Sequence, residues 1–304
     1  SQSLYMKEPY QLTVDSKVMS EYTNTSFALW FKVEKFEHAS LGTLLMTKVN
    51  RNYSGTWTES VWGEMWTAIR PANYSDNKYK NGEDELSVSV DAPPAGTSNY
   101  EHNAEVDGMS NGYTLSPNTW YHVCVVKAGR NVKLYLNGKK IIDVQSRGTG
   151  PKDWKGAKFY VGGSMTNLAS FTGWVDEVQI WSKALTEAEI KESMSGYLIP
   201  PTGLDGYFTF ESTVTDEDGN IYFPNEGNNS VAVPGAYMTI GTTENKKNVD
   251  VPQNQLTPAL GVPYITGSRP IKFESAKWIL DGANFSQEGD NKATATYATD
   301  GQYP

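Results

Sequence analysis

Residues 118–143, NTWYHVCVVKAGRNVKLYLNGKKIID, alternate in side-chain character with a period of two and are interrupted twice by turn chemistry. A period of two sends successive side chains to opposite faces of a strand, which commits a chain to sheet. In TWYHVCVV one face carries Trp120, His122, Cys124 and Val126, and the other Tyr121, Val123 and Val125. Both faces are largely apolar, as in a strand covered on both sides. Ala128-Gly129-Arg130 supports a hairpin into NVKLYLNG, where Val132, Leu134 and Leu136 face inward. Asn137-Gly138 then fits a two-residue type I′ turn, because both positions tolerate positive φ. TSFALWFKVE repeats the alternation, with Phe27, Leu29, Phe31 and Val33 opposite Trp30 and Lys32. LGTLLMTKV, KFYVGG and GWVDEVQIW read as further strands.

One helix is signalled, in ALTEAEIKESMSG: Thr186 and Glu189 form a capping box and Leu185 staples against Ile190. Gly196 suits its C-terminal stop. LIPPTG (198–203) breaks the pattern and divides the chain into a large domain, 1–200, and a small β-rich module, 201–304, with a Pro/Asn-rich linker at about 249–270.

Composition removes several classes of function. The net charge is −9 and no basic run occurs, so the clustered Lys and Arg that offset phosphate charge are missing and no nucleic-acid partner is expected. No apolar run is long enough to span a bilayer, so no transmembrane segment is expected. No signal-peptide pattern opens the sequence, and Ser1 reads as the start of a mature or trimmed chain. The single cysteine, Cys124, excludes an internal disulfide framework and a thiolate metal site. With 18 Tyr, 9 Trp and 27 Gly, the chain reads as an extracytoplasmic protein, secreted or tethered to the cell surface.

NTWYHVCVVKAGRNVKLYLNGKKI, then KFYVGG, then FTGWVDEVQIWSKALTEAEI, with SFALWFKVE upstream, resembles the laminin-G-like jelly roll of the concanavalin A-like lectin/glucanase superfamily. The resemblance covers about residues 10–195. It implies an all-β, antiparallel jelly-roll β-sandwich with one short helix, here followed by the small β-rich C-terminal module. One sheet of that fold is concave, and in many members the concave face binds glycans. LDGYFTFESTVTDEDGN resembles a segment that flanks such jelly rolls in surface proteins of glycan-degrading bacteria. AKWILDGANFSQEGDNKATATYATDGQYP resembles the second half of a PKD-type immunoglobulin-like domain.

The β-glucan-cleaving members place two glutamates and an aspartate alternately on one strand, which brings nucleophile and acid/base to one face for a retaining reaction. No Glu-x-Asp-x-(x)-Glu occurs here. Glu83, Asp84 and Glu85 are adjacent, and Glu59 and Glu64 are five apart, on opposite faces of a regular strand. His38, His102 and His122 lie in unrelated segments, and no H-E-x-x-H is present. A glycoside hydrolase is therefore the weakest reading, and His122 is expected as a packing residue.

For binding, TWTESVWGEMWTAIRPANY stands out. In a strand over 61–70, Trp62, Glu64, Trp66, Ala68 and Arg70 share one face, while Val61, Met65 and Ile69 share the other and look like core. Indole rings offer apolar faces to pyranose C–H groups, and Glu and Arg bond hydroxyls. Trp57, Tyr53, Tyr74, Tyr79 and Tyr100, in polar loops, would rim the groove. The competing reading packs both tryptophans under a loop. The expected partner is an oligo- or polysaccharide; the alternative is a structural or protein-interaction module contacting other surface proteins.

Asp176, placed by simple alternation on one face with Trp174, Val178 and Ile180, reads as a buried structural carboxylate that must be hydrogen-bonded. Calcium is the one cofactor the resemblance brings. Asp216, Asp218 and Asn220 open like a calcium loop, but Ile221 stands where the loop needs glycine and no glutamate closes it. An Asx-rich turn is the favoured reading there.

Overall fold

A computed structural model describes residues 2–7, 10–20, 23–34, 42–48, 65–70, 85–91, 105–109, 113–146, 158–162, 172–240, 256–258, 270–272, 283–287 and 292–297. The strands are β1 (Gln2–Met6), β2 (Tyr10–Asp15), β3 (Asn24–Val33), β4 (Gly42–Lys48), β5 (Met65–Arg70), β6 (Glu85–Asp91), β7 (Glu105–Met109), β8 (Trp120–Ala128), β9 (Asn131–Leu136), β10 (Lys139–Gln145), β11 (Lys158–Val161) and β12 (Gly173–Trp181). Helix α1 (Glu187–Ser193) follows, then β13 (Leu204–Phe208), β14 (Val214–Thr215), β15 (Ile221–Pro224), β16 (Gly235–Ile240), β17 (Leu256–Pro258), β18 (Pro270–Lys272), β19 (Ala283–Gln287) and β20 (Lys292–Tyr297).

Two large antiparallel sheets form the body. The eight-stranded sheet runs β10-β9-β8-β3-β12-β1-β17, with β13 also on β12, and the nine-stranded sheet runs β14-β15-β16-β2-β11-β4-β5-β6-β7. A separate three-stranded sheet, β18-β20-β19, comes from the C-terminal part. This is the all-β antiparallel sandwich, with one α-helix among the described residues, that the resemblance implies.

Phe27, Leu29, Phe31 and Val33 of β3 join Val123, Val125, Val132 and Leu134 in the main core, facing Leu12, Val14, Ile69, Phe159 and Met238 of the other sheet. Each such side chain contributes about 1.5–3 kcal/mol by leaving water. A second cluster lies on the opposite, outer face of the eight-stranded sheet: Ala28, Cys124, Val126, Tyr135 and Trp181 are covered by Leu185, Ile190, Tyr197 and Leu204. The two-sided apolar character of β8 has its cause here, since one face meets the other sheet and the other meets α1.

The local signals are realised as read. Asn137 and Gly138 both have positive φ (48° and 76°), giving the type I′ turn between β9 and β10. The Thr186–Glu189 capping box opens α1. Past the helix end, Gly196 at φ 68° lies where a Cβ would come within 2.6 Å of Glu177 Oε2.

Two expectations change. The break at 198–203 falls inside the sandwich: β13 pairs with β12, and β16 pairs with β2. Phe208, Phe210, Phe223 and Val233 belong to the main core, so residues 204–240 complete the body. Of the stretch 249–270 read as a linker, Leu256–Pro258 pairs with β1.

The second change is in β12. Asp176 pairs with Trp30 while Gln179 pairs with Ala28, so β12 spends three residues where β3 spends two. Glu177, at φ 50°, sits in this bulge. One extra residue inverts the alternation beyond it. Val178 and Ile180 therefore join the main core, as Val175 does, while Trp174 lies on the other face beside Lys32. The expected sharing of one face by Trp174, Asp176, Val178 and Ile180 does not hold.

Candidate functional site

Among the residues read as a glycan site, Trp66 and Arg70 lie in β5, within the nine-stranded sheet between β4 and β6. Trp66 is opposite Met46 on one side and Ser89 on the other, and Arg70 is opposite Glu85. Thr67 and Ile69 are buried, Ile69 in the main core as expected, so Trp66, Ala68 and Arg70 occupy the alternate positions of the strand. Trp62, Glu64, Trp57, Tyr74 and Tyr100, like Tyr53 and Tyr79, lie outside the described residues.

Asp176 is fully buried, and its Oδ1 accepts from the Glu177 amide at 2.8 Å. The carboxylate thus fixes the bulge itself. The Tyr207 hydroxyl, which also accepts from the Tyr197 amide at 3.0 Å, donates to Glu177 Oε2.

His122 is packed, 1% exposed, with its ring 5.3 Å from Trp30 in an edge-on arrangement. Its Nδ1 has no hydrogen-bond partner, and burial pushes its pKa down to about 3. Cys124 beneath α1 is fully buried, and burial pushes its thiol pKa up. Neither has the setting of a nucleophile or base.

At Asp216, Oδ1 accepts from the amides of Asp218 (3.0 Å) and Asn220 (2.8 Å), and Oδ2 accepts from Asn220 Nδ2 (2.9 Å). Asp216, Asp218 and Asn220 form an Asx turn, the reading favoured from the sequence. Among the described residues no group of three or more His, Cys, Asp or Glu side chains could hold a metal.

A surface missed in the sequence crosses the outer face of the eight-stranded sheet beside α1. Trp120 of β8, Lys32 of β3, Trp174 of β12 and Tyr5 of β1 stand directly opposite one another in register. All four are half-buried. The Lys32 ammonium lies 5.0 Å from the Trp120 ring centre and 4.5 Å from that of Trp174. The Tyr5 ring is 5.1 Å from Trp174, and its hydroxyl donates to Glu34 Oε2 at 2.6 Å. Burial, with help from the Glu34 hydrogen bond, pushes the Tyr5 pKa up to about 12. Trp30 and Trp181, the other tryptophans whose side chains are described, are buried. The signal lay in the parity of each strand, since Lys32 alternates with the core residues of β3. The strand order β8-β3-β12-β1, which assembles the row, is not local in sequence.

Two antiparallel sheets closed over one core, with a short helix on an outer face, define a jelly-roll sandwich. Residues 45–191 match the sequence model of the concanavalin A-like lectin/glucanases superfamily. Among solved structures, the chain is similar to a candidate carbohydrate-binding protein of Bacteroides ovatus (19% identity, TM-score 0.51), over 79% of this chain and 60% of that one. It is also similar to the heptameric SAP-like pentraxin of Limulus polyphemus (13% identity, TM-score 0.46; 79% of this chain, 94% of that one). A third is the sialidase CBM40 of Ruminococcus gnavus, bound to α2,3-sialyllactose (12% identity, TM-score 0.41; 63% and 96%). At these identities the likeness is one of fold. The chain thus spans 60% of the length of the Bacteroides ovatus protein. No curated protein matches the chain. Among the described residues, no helix is long and apolar enough to cross a membrane.

Proposed function

We propose that this chain is a non-catalytic carbohydrate-binding module of a secreted or cell-surface protein. In this reading a glycan stacks on Trp62 and Trp66, Glu64 and Arg70 fix its hydroxyls, and Trp57, Tyr74 and Tyr100 rim the groove. The observation that carries it is the parity of β5, in the body of a superfamily of lectins and glucanases. With Thr67 and Ile69 turned into the core, Trp66 and Arg70 take the positions that alternate with core, mid-sheet rather than at an edge. An aromatic residue and a guanidinium four residues apart on such a face suit a pyranose, apolar below and hydroxylated at its rim. The fold shared with the candidate carbohydrate-binding protein of Bacteroides ovatus adds support.

The test is a glycan-array screen of the wild type beside a Trp62→Ala/Trp66→Ala double variant. Binding present in the wild type and lost in a folded double variant supports the reading. A folded wild type that binds no glycan would move the assignment to the protein-interaction module.

A further inference from the structure

The Trp120–Lys32–Trp174–Tyr5 row lies in the eight-stranded sheet, whereas β5 belongs to the nine-stranded one, so its role is independent of the site proposed above. Lys32 is its centre. The ammonium is held over two indole rings and, among the described residues, pairs with no carboxylate. Glu34, two residues further along the chain from Lys32, is engaged by the Tyr5 hydroxyl instead. Burial lowers the Lys32 pKa, as expected of a cation partly withdrawn from water without a counter-charge.

We propose that this row binds an anionic glycan, with the acidic group of one sugar at the Lys32 ammonium and the sugar ring against the Trp120 and Trp174 indoles.

The shape of the row favours a linear ligand. Four adjacent strands place its ends about 14 Å apart, one residue wide. A protein interface needs about 800 Å² per partner. The large exposed apolar side chains of the described residues, Leu198, Val214 and Val231, all lie elsewhere. The charge pattern also sets polarity. Glu34 makes the Tyr5 end repel an anion, so the acidic group sits between the indoles and neutral sugars extend along the row. A net charge of −9 disfavours polyanions and selects ligands with an isolated acidic group.

The experiment compares neutral oligosaccharides on an array with mono-acidic counterparts bearing glucuronate, sialate or sulfate. Wild type, Lys32→Met and Lys32→Arg are probed at low and high salt, with folding checked by circular dichroism. The expected result is at least a tenfold preference of the wild type for one acidic glycan over its neutral parent. That preference is lost in Lys32→Met, retained in Lys32→Arg and weakened by salt. Carboxylate and sulfate arms identify which acid is read. A wild type without acidic preference overturns the inference, as does a preference that survives in folded Lys32→Met. If Lys32→Met does not fold, a wild-type preference insensitive to salt overturns it. Neutral binding without acidic preference would leave the β5 reading standing, whereas acidic preference lost with Lys32 while neutral binding persists would separate the two surfaces.

Discussion

His122 shows what burial costs a single residue. The folded chain keeps the imidazole neutral down to about pH 3, whereas an unfolded chain protonates it near 6.5. Between those values the unfolded state binds the extra proton, so stability falls as pH drops through the window, by up to about 1.4 kcal/mol per unit from this group. His122→Gln removes the titration. Urea denaturation at a series of pH values from 7.5 to 3.5 should show a flatter stability profile for the variant than for the wild type. An equally steep profile in the variant would mean that His122 is not the group being protonated. The packing role of His122 was legible from its place between Trp120 and Cys124 on an apolar strand. The depressed pKa was not, because it depends on Trp30 and the cover of α1.

For elements, local chemistry was legible and register was not. The Asn137-Gly138 turn and the α1 capping box each depend on residues within a few positions, and both form as the sequence indicates. Thr186→Ala removes the cap on the Glu189 amide and should cost about 1 kcal/mol, seen as a lower Tm in thermal unfolding. A Tm unchanged from wild type would show that tertiary contacts alone hold α1 in place. The bulge in β12 is the contrary case. Nothing in GWVDEVQIW marks Glu177 as the extra residue, because beyond the local Asp176 hydrogen bond its partners are remote in sequence. Tyr207 holds its carboxylate, and β1 and β13 divide one edge of β12 on either side of it. Regular alternation therefore put Trp174 on the wrong face and hid the aromatic row. The site proposed on β5 was legible only as a parity, in which Ile69 faces the core and Trp66 alternates with it.

In the whole molecule, the Pro-Pro run at 200–201 looked like the end of a domain because proline interrupts strands. It is a loop that carries the chain back to the sandwich. The Asn225 side chain ties the returning segment together: Oδ1 accepts from the Tyr207 and Gly227 amides, and Nδ2 donates to the Asp205 and Val233 carbonyls. A chain ending at residue 203 would uncover one edge of β12 and strip Phe208, Phe210 and Phe223 from the core. Such a truncation should show no cooperative thermal transition by circular dichroism, whereas the full chain should. A cooperative melt of 1–203 would restore the boundary read from sequence.

The pairing of β2 with β16 also sets the order in which the chain can fold. Thr13 and Thr239, whose hydroxyls meet at 2.6 Å, are 226 residues apart in sequence. The β8–β9–β10 meander can form as soon as it leaves the ribosome, since its partners are neighbours in the chain. β2 cannot complete its ladder until Gly235–Ile240 has been made. Closing so long a loop is slow. Throughout synthesis of the intervening chain, β2 keeps an unpaired edge open to the wrong partner, so holding nascent chains apart would protect yield more than stabilising the finished fold.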